Sequence, residues 1–424
     1  MVNVDISNIW CSVTLPMLLE SEQQIAAAHA ALMDGEATAF LPWLDGDNSA
    51  VLEQVEKAAR AIRAQAGVLV VVGSDSAVAG VRAVVELLRG RNHNLRSGTQ
   101  IVFAGSDLST RSWQHLAELL EKRDFCVHLL GRDGADVQSA VTTRALRWML
   151  ERRYGTEKSR ERVYVSTDPV IGPLREIATA EGYQTFDLVP TVGDHASVLD
   201  PGALLAAAVA GIDIRKLLDG ALTARLAMEI RSFENPAWLY AAGRTILASR
   251  GKVTEYLTML EPDAGALGRW WKQLFGSRAC ANGEGLLPAL AEIPGDLHTM
   301  HGMFSDGTQP LVQTVLRFDP PEQKVAVEMD WQNQDGYNYL EGFTLDYVQE
   351  QAMAAVIAVG ADNSVPIFQV DCGRMEPGDV GQLLYFFELT SCLCAGMEGR
   401  DVYISDSPSR WSEQMARLLG RPEE

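Results

Sequence analysis

A glycine-bearing turn in this sequence has the form with which α/β proteins bind phosphate. LLGRDGADVQ (129–138) follows an apolar run and precedes a helical pattern. A turn between a strand and a helix directs backbone N–H groups toward an anion. This turn nevertheless carries two aspartates, Asp133 and Asp136. The sequence thus predicts the geometry of a phosphate site with side chains that repel a phosphate.

The residues of this turn are candidates for ligand binding. They are Gly131, Arg132, Asp133, Gly134, Ala135 and Asp136. A carboxylate about 4 Å from one unit of phosphate charge costs roughly 1 kcal/mol in water and about 4 kcal/mol at an effective dielectric constant of 20. Millimolar binding is worth only about 4 kcal/mol. We therefore expect weak phosphate binding, unless Arg132 or a bound cation offsets the carboxylates.

Histidine and cysteine residues could supply other chemistry. His298 and His301 are three residues apart, on one face if they are helical, and could ligate a metal. No third ligand follows at a set spacing. The six cysteines show no metal-type double pair, and Cys392 and Cys394 are the one close pair, so we interpret the cysteines as buried free thiols. We expect neither a resident metal nor a cofactor.

Alternating strand and helix patterns must position these residues. The first strand candidates are GVLVVVG (67–73), QIVFAG (100–105), FCVHLL (125–130), RVYVS (162–166) and TFDLV (185–189). Helical patterns separate most of them, which predicts a parallel sheet with helices on both faces. After a helical stretch the alternation restarts, with strand candidates at 252–260, 311–318, 324–329 and 366–371. Two successive α/β units joined by helices are therefore predicted.

Composition limits the possible partners. The chain has 424 residues and a formal net charge of −20, which argues against a broad surface for nucleic acid or an anionic membrane. A small anionic ligand remains compatible, because a few local groups can override a distant, screened field. The N-terminus MVNVDISNIW lacks the pattern of a secretory signal, and the apolar run at 202–212 is too short to cross a bilayer. We expect a soluble cytoplasmic protein.

Five long segments resemble one known family. In chain order they are VGDHASVLDPGALLAAAVAGIDIRKLLDGA (192–221), RWWKQLFG (269–276), LLPALAEIPGDLHTM (286–300), DGYNYLEGFTLDYVQEQA (335–352) and GQLLYFFE (381–388). On these segments the sequence resembles the glucose-6-phosphate isomerases over nearly its whole length. The resemblance implies an α/β fold with two sugar-isomerase (SIS) domains, each a mostly parallel sheet flanked by helices in three layers. It also implies a homodimer whose active site takes residues from both chains.

The resemblance also sets the expected domain bounds. We expect the SIS domains at 51–195 and 251–395. Around them we expect an N-terminal helical segment packing on the core at 1–50, connecting helices at 196–250, and a C-terminal tail with a helix at 396–424.

The family interconverts glucose 6-phosphate and fructose 6-phosphate, and this sequence departs from the residues that the resemblance implies for that reaction. Ser277 stands where similar chains carry the glutamate base, and a serine cannot take a carbon-bound proton at neutral pH without a base of its own. Ser412 stands at the lysine position, and the last lysine of the chain is Lys324. His298 is retained for ring opening. His195 occupies the arginine position of a Gly-Gly-Arg motif that reads GDH here.

The resemblance also implies a second phosphate-side turn at GSDSAVAG (73–80), between a strand pattern and a helical pattern. This turn adds Gly73, Ser74, Asp75 and Ser76 to the candidate ligand-binding residues. Asp75 places a further carboxylate where the resemblance implies a phosphate.

Three functions remain open at this level. The leading hypothesis is a non-catalytic family member that binds or regulates, as a homodimer or paired with an active isomerase subunit. A second is an active isomerase that uses Glu284, His298 and His195 as surrogate groups. In a third, the turn aspartates and Arg132 suit a cationic or metal-bound sugar derivative in place of a sugar phosphate.

Overall fold

The structure is a computed structural model that describes residues 1–34, 41–132, 134, 136–189, 193–279, 285–400 and 410–421. The chain divides into two compact units. The first unit comprises Leu32–Leu222 with Asp401–Glu424, and the second comprises Met1–Ala31 with Thr223–Arg400.

Strands and helices alternate along most of the chain. The strands are β1 (Asn3–Asn8), β2 (Val68–Val72), β3 (Gln100–Ala104), β4 (Phe125–Leu130), β5 (Val163–Thr167), β6 (Gln184–Asp187), β7 (Thr254–Met259), β8 (Leu287–Glu292), β9 (Leu311–Arg317) and β10 (Ile367–Asp371). The helices are α1 (Leu15–Glu20), α2 (Glu22–Met33), α3 (Ser49–Gln65), α4 (Asp75–Arg89), α5 (Thr110–Glu121), α6 (Val137–Tyr154), α7 (Thr156–Arg160), α8 (Pro173–Glu181), α9 (Leu205–Val209), α10 (Ile214–Ala227), α11 (Pro236–Ser249), α12 (Gly265–Ala279), α13 (Gly295–Phe304), α14 (Leu345–Asp362), α15 (Pro377–Met397) and α16 (Arg410–Leu418).

The first unit contains a five-stranded parallel sheet in the order β3-β2-β4-β5-β6. Val68 of β2 pairs with Gln100 on one side and with Phe125 on the other. Every residue of β2, β4 and β5 is buried, so both faces of the sheet centre are covered. This is the reason for the continuous apolar runs in the sequence, since a strand covered on both faces has no polar side.

The second unit contains a sheet in the order β1-β10-β9-β7-β8, parallel except for β1. The antiparallel edge strand β1 comes from the start of the chain, where the sequence predicts only a helical segment. Asn3 pairs with Asp371 and Val4 with Val370 of β10. This pairing explains why the first residues belong to the second unit. A strand of only six residues that pairs with a distant strand leaves no local sequence pattern from which it could be predicted.

One further strand prediction was wrong, and one strand was not predicted. The run KVAVEM (324–329) forms no strand, because its backbone pairs at a single bridge, Ala326 with Thr344, and most of its side chains are exposed. Conversely, β8 was missed because it contains Pro288, which discourages a strand prediction. β8 lies at the sheet edge, where a residue without an N–H is tolerated.

A charged cluster lies inside the apolar core of the second unit. Arg244 and Glu255 are 3% and 0% exposed and form an ion pair of 2.6 Å. Tyr240 and Thr314 each donate a hydroxyl to the same carboxylate at 2.6 Å. Because every carboxylate contact is made inside the core, removing one partner would leave a buried charge without compensation.

The apolar helix α15 is a core element of the second unit. Among the described residues it alone is long and apolar enough to cross a membrane, but 89% of its apolar window is buried inside the protein. Trp270 and Trp271 of α12 are also fully buried, and Trp270 contacts Phe387 of α15. These tryptophans pack in the core of the second unit and are closed to solvent.

Candidate functional site

The two glycine-bearing turns lie at the same edge of the first sheet. β2 and β4 are neighbours in the sheet. From β2 the chain continues to β3 on one side of this pair, and from β4 it continues to β5 on the other side. The connections therefore leave in opposite directions, and the carboxyl ends of β2 and β4 border a crevice of the kind in which α/β proteins bind ligands. We call this place the β2–β4 crevice. The sequence correctly predicted the parallel sheet that brings the turns together.

The turn after β2 requires its glycine and is capped by a serine. A Cβ on Gly73 would lie 2.3 Å from the carbonyl oxygen of Leu130, so no other residue fits there without a backbone shift. Ser74 is the N-cap of α4, and its Oγ accepts a hydrogen bond from the N–H of Ala77 at 3.3 Å. The hydroxyls of Ser74 and Ser76 are 2.9 Å apart. Asp75 begins the helix and is exposed, so its charge lies at the positive end of the helix dipole.

The turn after β4 ends in a carboxylate cap. Asp136 is the N-cap of α6, and its Oδ1 accepts a hydrogen bond from the N–H of Ser139 at 2.8 Å. Gly134 has φ of 68°, a left-handed conformation that favours glycine. The N-terminus of α6, where a phosphate would bind, therefore already holds an anion. Asp133 and Ala135 lie outside the described residues.

A second carboxylate reaches this turn from another part of the chain. Oδ1 of Asp194 accepts a hydrogen bond from the backbone N–H of Arg132 at 3.0 Å. The carbonyl of Arg132 accepts from the Thr167 hydroxyl at 2.6 Å and from the Asp168 N–H at 3.1 Å. The backbone of the turn is thus bonded internally. The guanidinium of Arg132 makes no ion pair or hydrogen bond within the described part of the chain, and it is the group here best suited to attract an anion.

His195 follows Asp194 and is buried. Only 4% of it is exposed, and a Cβ on Gly193 would lie 2.6 Å from the ring atom Cε1. The imidazole therefore packs against the backbone of Gly193. In the position that the resemblance gives to a cation, the structure places a packed ring beside a carboxylate.

The remaining candidate residues belong to other elements. Ser277 is exposed near the end of α12, and its hydroxyl donates to the carbonyl of Leu274 one turn earlier, at 3.0 Å. His298 and His301 are exposed on α13, and Ser412 is partly buried on α16. Glu284 lies outside the described residues. Within the described ranges, no group of three or more His, Cys, Asp or Glu side chains could hold a metal ion.

Two titratable side chains, His128 and Asp200, are buried in the first unit. His128 of β4 hydrogen-bonds the Ser166 hydroxyl through Nε2 at 2.7 Å, and burial lowers the pKa of this imidazole to about 3, so it stays neutral. Asp200 accepts hydrogen bonds from the N–H groups of Val189 at 2.8 Å and Gly202 at 2.9 Å. Burial nevertheless raises the pKa of the Asp200 carboxyl to about 6. Both side chains are buried, and Asp200 holds the backbone at Val189 and Gly202.

Asp194 is the site residue that sequence reasoning did not include in the ligand-binding set. It lies about 60 positions after the turn that it contacts, and the contact depends on the return of the chain after β6. The available signal was an aspartate directly after a glycine, behind the last parallel strand, where the end of the loop reaches the same sheet edge.

Comparisons with known proteins agree with this architecture. No protein-family model matches the chain. The glucose-6-phosphate isomerase of Exiguobacterium sibiricum is 32% identical over 409 residues, which cover 94% of this chain and 91% of the relative.

Two solved structures share the fold. A hypothetical protein from Thermus thermophilus has a TM-score of 0.86 at 20% identity, covering 99% of this chain and 100% of the other. A glucose-6-phosphate isomerase from Chlamydia trachomatis has a TM-score of 0.71 at 15% identity, with coverages of 96% and 83%. At such identities these two show the fold alone. The 32% identity to a relative that is covered almost throughout shows that the chain belongs to the glucose-6-phosphate isomerase family.

Proposed function

We propose that this family member has no isomerase activity and acts as a binding or regulatory protein in the cytoplasm. The observation that carries the proposal is the occupied turn after β4. Asp136 caps the helix that follows, and Asp194 takes the N–H of Arg132. A sugar phosphate would have to displace or approach these carboxylates, and it would gain only the Arg132 guanidinium in exchange.

The residues at the reaction positions support the same proposal. By the resemblance, Ser277 replaces a glutamate base, and its hydroxyl is bonded within its own helix. Ser412 replaces a lysine. Positioned acids and bases each contribute about 10²–10⁴-fold to a rate, so the loss of two would leave a very low turnover. The reaction needs one group to open the ring and another to move the proton between carbons, and among the described positions that the resemblance assigns to these steps only His298, exposed on α13, keeps its residue type.

We further propose that the protein is a homodimer that uses an aromatic arm. The arm spans 324–347 and is held by the Ala326–Thr344 bridge and by a 3.1 Å ion pair between Lys324 and Asp346. Trp331 and Tyr339 on this arm are 82% and 70% exposed. Large aromatic side chains concentrated on one exposed segment favour contact with another protein surface. The alternative partner is an active isomerase subunit. In that case the purified chain by itself would have the mass of a monomer.

The catalytic part of the proposal can be tested with a coupled assay for conversion of fructose 6-phosphate to glucose 6-phosphate. The protein must be produced in a host that lacks its own isomerase, because contamination would mimic weak activity. We expect no turnover at high protein concentration. Turnover that disappears in His298→Ala would overturn the proposal and would point to surrogate groups such as Glu284.

The dimer is tested separately by light scattering after gel filtration. We expect the mass of two chains for the wild type and a shift toward one chain in Trp331→Ala. The matched control is Trp148→Ala, which removes a 60% exposed tryptophan from α6 in the first unit. A monomeric wild type, or equal effects of the two variants, would contradict the proposed arm interface.

A further inference from the structure

A basic cavity lies at the edge of the first sheet opposite to the β2–β4 crevice. The cavity has a volume of about 290 Å³ and lies beside the start of β3, between the last turns of α3 and α4 and the end of α9. The five residues of β3 separate it from the crevice edge by roughly 16 Å along the strand. The two places are therefore distinct sites in the same unit.

The lining of this cavity is positively charged in a strongly acidic chain. Arg63, Arg89 and Arg96 line it together with His93, and its lining residues include no Asp or Glu. The whole chain has a net charge of −20, so three arginines around one small cavity are a marked local reversal of sign. Arginine is the side chain best suited to bind phosphate, because its planar donors match two oxygens at once.

Helix ends explain part of this charge but not all of it. Arg63 donates from Nη1 to the carbonyl of Ala208 at 2.6 Å and so caps α9, and Arg89 lies in the last turn of α4, where a cation is favourable. Arg96 follows a short 3-10 turn and has no such role. Over the described ranges of the chain, neither Arg89 nor Arg96 makes an ion pair or a side-chain hydrogen bond. Their donors remain available to a ligand.

A buried polar atom at the same place also points to a ligand. His93 lines the cavity, and its Nδ1 lies 3.0 Å from the carbonyl of Gly90, so Nδ1 carries the proton that it donates there. The other ring nitrogen, Nε2, is buried and has no hydrogen-bond partner among the described residues. In this tautomer Nε2 is an acceptor, so it would pair with a hydroxyl group of the ligand and not with a phosphate oxygen.

The size of the surrounding space indicates a ligand with more than one phosphate. An open cleft of about 750 Å³ shares Arg63, Gly98 and Thr99 with the cavity and adds Arg123. The carboxylate of Asp124, which also lines this cleft, is engaged by Arg153 at 3.2 Å and by the Tyr154 hydroxyl at 2.8 Å. The cleft therefore offers Arg123 as a further cation to a second phosphate of the same ligand.

We propose that this cavity and the adjoining cleft bind a small compound that carries two phosphate groups. Arg89 and Arg96 hold the phosphate in the cavity, and Arg123 contacts the other. The site does not depend on the β2–β4 crevice or on the proposed lack of isomerase activity.

Isothermal titration calorimetry of the full chain with inorganic pyrophosphate, without divalent cations, tests the proposal. We expect saturable binding of one pyrophosphate per chain. Because a hydrogen bond to a charged group contributes about 1.5–3 kcal/mol, Arg89→Gln and Arg96→Gln should each weaken binding by about tenfold or more. Arg250→Gln, an exposed arginine in the second unit, should leave the affinity unchanged.

Two further variants separate the possible outcomes. Arg123→Gln should weaken the binding of pyrophosphate but not that of orthophosphate, since only the longer anion reaches the cleft. Arg132→Gln should have no effect, because Arg132 belongs to the crevice. Absence of saturable binding, or binding lost in Arg132→Gln and retained in Arg89→Gln, would overturn the proposal.

Discussion

Neutralising two carboxylates should restore phosphate binding to the β2–β4 crevice. The double substitution Asp136→Ser with Asp194→Asn removes two charges and keeps the local hydrogen bonds. A serine at position 136 can still accept the N–H of Ser139 as an N-cap, and an asparagine oxygen at position 194 can still accept the N–H of Arg132. The turn should therefore keep its backbone while its charge changes.

The size of the effect follows from Coulomb's law. Both carboxylates bond directly to turn N–H groups at 2.8 and 3.0 Å, so a phosphate approaching the same groups would lie about 5 Å from each of them. At that distance a pair of like unit charges costs about 1 kcal/mol in water and about 3 kcal/mol at an effective dielectric constant of 20. Removing both should strengthen phosphate binding by at least about 30-fold.

Calorimetric titration with glucose 6-phosphate measures this change, and uncharged glucose serves as the ligand control. Asp306→Asn is the matched variant, because Asp306 is a partly buried carboxylate of the second unit that accepts the N–H of Thr308 at 2.9 Å in the same manner. We expect no gain with glucose and no gain in Asp306→Asn. An unchanged affinity for glucose 6-phosphate in a folded double variant would refute the electrostatic reasoning. Isomerase activity in that variant would refute the proposal that Ser277 leaves the protein without a base.

Three other predictions concern stability. Gly73→Ala should lower the free energy of unfolding by about 3 kcal/mol or more, because its Cβ would lie 2.3 Å from a backbone oxygen. The control is Gly302→Ala in α13, where a Cβ would have no atom within 4 Å. In the same denaturation experiment it should raise the free energy of unfolding by up to about 1 kcal/mol. The carboxyl of Asp200 stays protonated up to about pH 6 in the folded protein. In the unfolded chain it is protonated only below about pH 3.8. The free energy of unfolding should therefore fall by about 3 kcal/mol as the pH rises between these values, and a pH series of Asp200→Asn should lack this slope. Glu255→Gln leaves Arg244 buried without its counter-charge and should cost about 3–5 kcal/mol, and a midpoint of thermal unfolding equal to that of the wild type would contradict this.

The sheets were predictable from the sequence because their central strands are buried on both faces. A run such as VLVVV in β2 reports burial directly. β1 could not be predicted, since its partner β10 lies more than 350 positions away and its burial is mixed. Long-range pairing of a short edge strand leaves no local pattern.

The candidate site was predictable in its place but not in its internal bonds. The sequence shows a glycine turn after β2 and another after β4, and parallel strands bring both to one edge. It also shows Asp136 at the start of a helix. An aspartate at this position is compatible with an N-cap and also with a carboxylate that repels a phosphate. The bond from Asp194 to the Arg132 N–H depends on the path of the chain after β6, and no spacing rule covers such a contact.

The aspartates of the crevice are better understood as replacements for a ligand than as defects of a ligand site. A helix N-terminus and a free turn N–H are unsatisfied donors that a bound phosphate would complete. In this chain Asp136 and Asp194 complete them permanently, each with a charge-assisted hydrogen bond of 3.0 Å or less. Such bonds stabilise the turn without a ligand, and they take the place of the hydrogen bonds that a bound phosphate would make.

It follows that the neutral double variant should be less stable than the wild type without phosphate, and that glucose 6-phosphate should raise its melting temperature but not that of the wild type. A double variant that is as stable as the wild type and gains nothing from glucose 6-phosphate would show that the two carboxylates are incidental.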